Sequence, residues 1–192
     1  METVKKETKI EFEEKKSRFI GYIKPVSGKI EAEFFIKSIK DKHKDANHNC
    51  SIYKVIDNGQ EFFKVDDDGE PSGTAGKPMG DIVTYMKVSN LVIVATRYFG
   101  GIKLGAGGLI KNYAKTAKLA IQESGIVEFI KLKKYILEFS YEKVGDIDGI
   151  LSSYDIYNIE KGYNENVIYK LEINDEVLEK LKEIKGLLIV EL

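Results

Sequence analysis

A single cysteine, Cys50, stands in this sequence of 192 residues, alongside two histidines and three prolines. One thiol excludes an internal disulfide framework and fits a reducing cytosol. One Cys and two His also fall short of the four ligands that a closed His/Cys zinc site takes. No apolar run approaches the about 18 residues of a membrane span, and residues 1–16 are too polar for a signal peptide. A large net charge is missing as well: 30 Lys and Arg stand against 31 Asp and Glu, so no global excess argues for nucleic acid. What is present is apolar material enough for a core, at 43%, and this argues against disorder.

The balanced total hides an asymmetry. Residues 1–125 carry 21 basic and 17 acidic side chains, whereas residues 126–192 carry 9 and 14. Nine of the 17 glycines lie between Gly69 and Gly108, and Pro25, Pro71 and Pro78 all precede Gly125. These shifts place a junction near Gly125–Lys131, with a first domain of residues 1–128 and a second of 129–192. No internal repeat or low-complexity tract is visible.

Alternation predicts strands over Lys9–Glu13 and Arg18–Lys24, joined by a turn at Lys15-Lys16-Ser17. Ala32, Phe35, Ile36 and Ile39 recur at helical spacing within residues 29–43, with Ser27 as candidate N-cap. Cys50–Ile56 and Gln60–Val65 flank Asp57-Asn58-Gly59, a hairpin signal. A Gly/Pro/Ser loop over residues 66–80 leads to a short helix bearing Met79, Ile82, Val83 and Met86 on one face. Leu91–Thr96 reads as a strand covered on both faces, and residues 108–124 as a helix stopped at Gly125. The second part reads as strand Leu132–Ser140, helix Lys143–Tyr154, strands Ile156–Lys161 and Val167–Ile173, helix Glu176–Ile184 and strand Leu187–Leu192. That β-α-β-β-α-β order is the split βαβ, or ferredoxin-like, arrangement. The fold class is α+β, in two domains.

The segment from Arg97 to Gly108 carries the most chemistry. Gly100, Gly101, Gly105, Gly107 and Gly108 join a buried strand to a helix and let amides line a concave anion site at positive φ. The helix N-terminus adds partial positive charge. Lys111, Lys115 and Lys118 share one helical face, and Arg97 and Lys103 flank the loop, so the set suits a phosphate or a nucleic-acid backbone. The dinucleotide fingerprint fails, because Ile110 stands where a third Gly belongs, and no Gly-Lys-Ser/Thr follows for a P-loop. A tight packed turn before a solvated lysine face is the competing reading.

Asp66, Asp67, Asp68 and Glu70 crowd four carboxylates into five positions, which suits Mg²⁺ or Ca²⁺ or acid–base work. The EF-hand template fails, with Lys64 and Ala75 at its first and last positions, and the run fits a strand-ending acidic turn better than a metal site. Lys77, Ser72 and Thr74 are placed to meet the Gly-rich turn, and the carboxylates could pair with Arg97 and Lys103 as a salt-bridge lid. His48 and Cys50 share a strand face, so the imidazole could activate the thiol. A buried Cys beside an ordinary His is the commoner arrangement, and no third triad member is evident.

Three stretches, His48-Asn49-Cys50, Asp67 through Pro78, and Arg97 through Leu109, resemble in order and spacing the signature of the IMPACT/YigZ family. The resemblance covers roughly residues 1–125, with a weaker likeness to the family's bacterial C-terminal domain beyond. It implies a first domain of the ribosomal protein S5 domain 2-like fold and a second like the last domain of elongation factor G. It also implies an association with translation, and together with the basic Gly-rich segment this points to a cytoplasmic binding module with RNA, the ribosome or a translation factor as partner; no cofactor is expected. Eukaryotic IMPACT competes for the activator of an initiation-factor kinase, but that role depends on an RWD domain, so this partner is not carried over. Ser51-Ile52 replaces the Trp-Ala of many relatives, which removes an aromatic there as a stacking group. No enzyme activity follows from the resemblance. The alternative from the residues themselves is an enzyme acting on a phosphorylated small molecule or nucleotide. Asp67, Asp68 and Glu70 would then hold Mg²⁺ or move protons, with His48 and Cys50 as further catalytic candidates.

Overall fold

A computed structural model describes residues 1–57, 59–130, 132–156 and 158–192. Asn58 of the expected hairpin turn, Lys131 at the expected junction and Tyr157 of an expected strand therefore lie outside the described residues. The chain divides into two units, Met1–Phe129 and Ile130–Leu192. No helix among the described residues is long and apolar enough to cross a membrane.

After a short strand β1 (Glu2–Val4), the first unit builds an antiparallel sheet from β2 (Thr8–Glu14), β3 (Ser17–Pro25), β4 (His48–Asp57), β5 (Gln60–Asp66) and β6 (Leu91–Tyr98). The spatial order is β2-β3-β6-β4-β5. Period-two alternation sorts the side chains between two cores. Leu91, Ile93 and Ala95 of β6 face one core, and Val92 and Val94 face the other. Helix α1 (Lys29–Lys42) closes the second core with Ala32, Phe35 and Ile39. Helices α2 (Gly76–Tyr85) and α3 (Gly105–Ser124) close the first with Met79, Val83, Leu109, Tyr113, Ala117 and Ile121. Strand β6 is covered on both faces, as its continuous apolar run predicts. Burying each such Leu, Ile or Val stabilises the unit by about 1.5–3 kcal/mol.

Several boundaries differ from expectation. The loop before α2 spans only Asp67 to Ala75, because the helix starts at Gly76, well before the expected end of the loop at Gly80. Helix α3 starts at Gly105 rather than Gly108, so Gly105 and Gly107 belong to its first turn. Gly28, not Ser27, caps α1; the Ser27 amide and hydroxyl instead donate to Glu31 Oε2 at 2.9 and 3.1 Å. Strand β1 pairs with β7 (Ile126–Glu128), a ribbon too short to leave a periodic signal.

His43 is the C-cap of α1 and bridges two tyrosines. The Tyr98 hydroxyl donates to Asp45 at 3.0 Å, so it accepts from His43 Nδ1 at 2.9 Å. His43 Nε2 is left to accept from the Tyr22 hydroxyl at 2.7 Å. Burial, aided by the nearby Lys42, holds this imidazole below the ordinary value of 6.5. A depressed folded-state value means the unfolded chain binds the proton more readily. Stability is therefore fully present above pH ~6.5 and is lost as pH falls through that value toward the lower folded-state one. Urea midpoints should drop between pH 8 and pH 5, and His43→Asn should shrink the drop; an unchanged difference would contradict this role.

The second unit comprises β8 (Lys133–Phe139), a 3₁₀ turn at Tyr141–Lys143, α4 (Val144–Ser153), β9 (Ile159–Tyr163), β10 (Val167–Ile173), α5 (Asp175–Lys182) and β11 (Leu188–Glu191). Its sheet runs β11-β8-β10-β9, antiparallel throughout. Leu137, Phe139, Tyr169, Leu171 and Ile173 of β8 and β10 pack with Ile147, Leu151, Val177 and Leu181 of α4 and α5. Asn174 caps α5, accepting from the Val177 amide at 2.9 Å. The strand expected over Ile156–Lys161 begins at Ile159 instead, and Ile156 is a partly buried residue packed on the core.

Candidate functional site

Antiparallel register places Arg97 of β6 between Phe19 of β3 and His48 of β4, on the sheet face that α3 covers. Arg97 is 6% exposed, and its Nη1 donates to Glu70 Oε1 at 2.8 Å. The Tyr113 hydroxyl of α3 donates to the same oxygen at 2.7 Å. Arg97 Nη2 reaches Ser17 Oγ at 3.4 Å, and the guanidinium carbon lies 5.8 Å from the Phe19 ring centre and 5.5 Å from that of Phe99. Arg97 Nε is buried with no partner among the described residues. Glu70 thus ties the acidic loop to β6 and α3, the one part of the expected salt-bridge lid that forms among the described residues. Burial pushes the Tyr113 phenol well up, so it stays a hydrogen-bond donor.

His48 and Cys50 do share a face but do not activate one another. His48 Nδ1 lies 2.9 Å from the Asp68 carbonyl, which can only accept, so this nitrogen carries the proton. His48 Nε2 sits 3.8 Å from Glu70 Oε2, beyond hydrogen-bond reach. The Cys50 thiol donates to the Asp67 carbonyl at 3.0 Å, and burial pushes its pKa far above the ordinary range. It is a packed donor, not a poised nucleophile.

The other carboxylates of the acidic loop are engaged inside the fold. Asp67 accepts from the amides of Gly73, Ala75 and Gly76 at 2.7, 3.0 and 2.8 Å, capping α2 from eight residues upstream. Asp68 accepts from the Asn49 amide at 2.6 Å and pairs with Lys40 at 2.6 Å. Asp66 pairs with the same lysine at 3.1 Å and accepts from the Asp68 amide. Among the described residues no group of three or more His, Cys, Asp or Glu is arranged to hold a metal ion.

The Gly-rich turn has a different character. Only Gly101 and Gly105 of its five glycines take positive φ, at 87° and 73°. Gly100 is required for another reason: a Cβ there would lie 1.8 Å from the Lys16 carbonyl oxygen, so the β2–β3 turn packs directly on it. The Gly100 amide donates to Ser17 Oγ at 3.3 Å, and the Phe99 amide to Asn47 Oδ1 at 2.7 Å. Outside the α3 ladder, the amides from Gly101 to Gly107 make no hydrogen bond among the described residues. Lys103, Lys111 and Lys118 are exposed, with no ion pair among the described residues. Lys115 is exposed too, its Nζ lying 4.2 Å over the Phe12 ring. Lys77 is not part of this set; it pairs with Asp81 at 2.9 Å.

Lys15, Lys16, Ser17 and Tyr113 join the site without having been singled out by motif. The two lysines have positive φ, at 46° and 63°, and are exposed in the turn against Gly100. A lysine pair in a two-residue hairpin turn is a signal the sequence offers, but its contact with Gly100 spans over eighty residues and leaves no local trace.

The Impact N-terminal domain family model matches residues 15–121. The IMPACT family member YvyE of Bacillus subtilis is 40% identical over 174 residues, covering 91% of this chain and 80% of the relative. The IMPACT family member YigZ of Escherichia coli is 34% identical over 161 residues, covering 83% of this chain and 78% of its own length. A crystal structure described as that of a hypothetical protein matches all of this chain and 96% of its own, with a TM-score of 0.64 at 30% identity.

Proposed function

The chain belongs to the IMPACT family, and from that premise we propose that it is a cytoplasmic, translation-associated binding protein that engages RNA, free or in the ribosome, through the Gly-rich turn and the lysine face of α3. The family's association with translation supplies the setting. One observation carries the site: exposed cations with no ion pair among the described residues run along one helix face, from a stretch of amides that, outside the helix ladder, make no hydrogen bond among the described residues. Gly105 to Lys118 spans about 20 Å at the helical rise, longer than any single phosphate group, so the strip suits an extended polyanion. Lys103, Lys111, Lys115 and Lys118 contact phosphates, and the amides of Gly101, Gly105 and Gly107 add donors. Gly100 and Arg97 act behind this surface, by packing and by ion pairing.

The first unit is read as S5 domain 2-like. The second is read as ferredoxin-like, a reading supported by its strand order, in which the first strand lies between the fourth and the third. With 9 basic and 13 acidic side chains in residues 130–192, the second unit is a poor RNA surface and is read as the part that meets a protein. The phosphate-processing alternative gains no support from Asp67 and Asp68, whose oxygens are taken up inside the fold.

Filter binding of RNA to the full chain tests the reading. The Lys111/Lys115/Lys118→Glu variant should bind at least tenfold more weakly at low salt, with an unchanged unfolding midpoint. Unchanged RNA affinity in a folded variant would overturn it, as would a partner that proves to be a translation factor captured equally well after nuclease treatment.

A further inference from the structure

Phe99 sits where β6 gives way to the Gly-rich turn, with 44% of its surface exposed. Its backbone is held on both sides, by the Phe99 amide on Asn47 Oδ1 at 2.7 Å and the Gly100 amide on Ser17 Oγ at 3.3 Å. Behind the ring lies the Arg97 guanidinium, 5.5 Å from the ring centre and itself fixed by Glu70 at 2.8 Å. One face is therefore backed by a buried cation, which favours an aromatic there over any aliphatic side chain. Exposed Lys15 and Lys16, whose turn abuts Gly100, and exposed Lys103, four residues after Phe99, have no ion pair among the described residues. Exposed Ile30 and Phe34 of α1 have no such setting; Lys29 and Lys37 on the same helix are paired with Glu33 and Asp41.

An exposed ring, fixed in place and bracketed by free lysines, matches what binds an unpaired strand. Every base has a π-face to stack, and the phosphates on either side of it find cations. A duplex hides those faces within its own stack. We infer that Phe99 is a stacking platform for an unpaired base, so that this site takes single-stranded rather than duplex RNA. The inference rests on the RNA reading above and adds the form of RNA and the residue that selects it.

The chain has no tryptophan, so Phe99→Trp would place its sole indole at the platform. The full-length variant is titrated with a short unstructured RNA, with an abasic phosphodiester strand of equal length, and with a duplex. The RNA should quench the indole, while the abasic strand binds without quenching and the duplex quenches little. Phe99→Ala should bind the RNA about tenfold more weakly, the effect of one lost stacked base, and bind the abasic strand as the wild type does; Phe99→Tyr should keep RNA affinity. Equal quenching by RNA and abasic strand, or a Phe99→Ala variant that binds RNA normally, would overturn the platform and leave the phosphate reading standing. Failure of the wild-type chain to bind either strand would overturn both.

Discussion

Arg97→Met should destabilise the first unit by about 3–5 kcal/mol, because it leaves the Glu70 carboxylate buried without its cation. Glu70 is 7% exposed and Arg97 6%, so water cannot readily take over the lost contact. Tyr113 would still donate to Glu70 Oε1 at 2.7 Å, but a single neutral donor does not offset a buried charge. Adding Glu70→Gln to Arg97→Met should recover part of the loss, since the second change removes the charge that the first left stranded. Urea unfolding of the wild type, the two single variants and the double variant measures this coupling. A loss below about 1 kcal/mol for Arg97→Met, the value typical of exposed pairs, would mean that the network is open to solvent and not the link between the acidic loop and α3.

Gly100→Ala should be nearly as disruptive, at about 3 kcal/mol, the upper part of the usual range for overpacking. The obstacle is the Lys16 carbonyl oxygen, 1.8 Å from the added methyl, and backbone cannot swing aside as a side chain does. Accommodation would push the Lys15-Lys16 turn away and break the Gly100 amide bond to Ser17 Oγ. Thermal unfolding should show the loss, and RNA binding should fall with it, because Phe99 and the turn lysines share this anchorage. By contrast, Gly107→Ala should leave the midpoint close to wild type, as nothing lies within 4 Å of a Cβ there. Equal midpoints for Gly100→Ala and the wild type would show that the turn does not pack on this glycine.

Periodicity made most of the architecture legible. The continuous apolar run at Leu91–Thr96 reads as a strand covered twice and is one, and Val167–Ile173 of the second unit has the bounds that its alternation predicts. The β1–β7 ribbon escaped because pairing between residues 2–4 and 126–128 is set by tertiary packing. The start of α2 escaped for a related reason: its cap, Asp67, lies eight residues before the first amide-rich turn, outside any local capping pattern. In the site, composition drew attention to both loops without revealing their partners. Four carboxylates in five positions look like a metal or acid–base cluster, yet each lies within 3.1 Å of amides, Lys40 or Arg97, and together they hold the loop in place. The glycines look like a positive-φ cradle, yet Gly100 is there to admit the Lys16 carbonyl. Charges and glycines announce that a loop is special; only their partners reveal whether they serve a ligand or the fold.

The most direct measurement is the salt dependence of single-stranded RNA affinity for the full chain and for its Lys111→Gln/Lys118→Gln variant. If these ammonium groups neutralise phosphates, log K should fall linearly with log salt in the wild type, and the slope of the variant should be shallower by about 1.4, roughly 0.7 for each cation removed. Parallel lines for the two proteins would contradict the account.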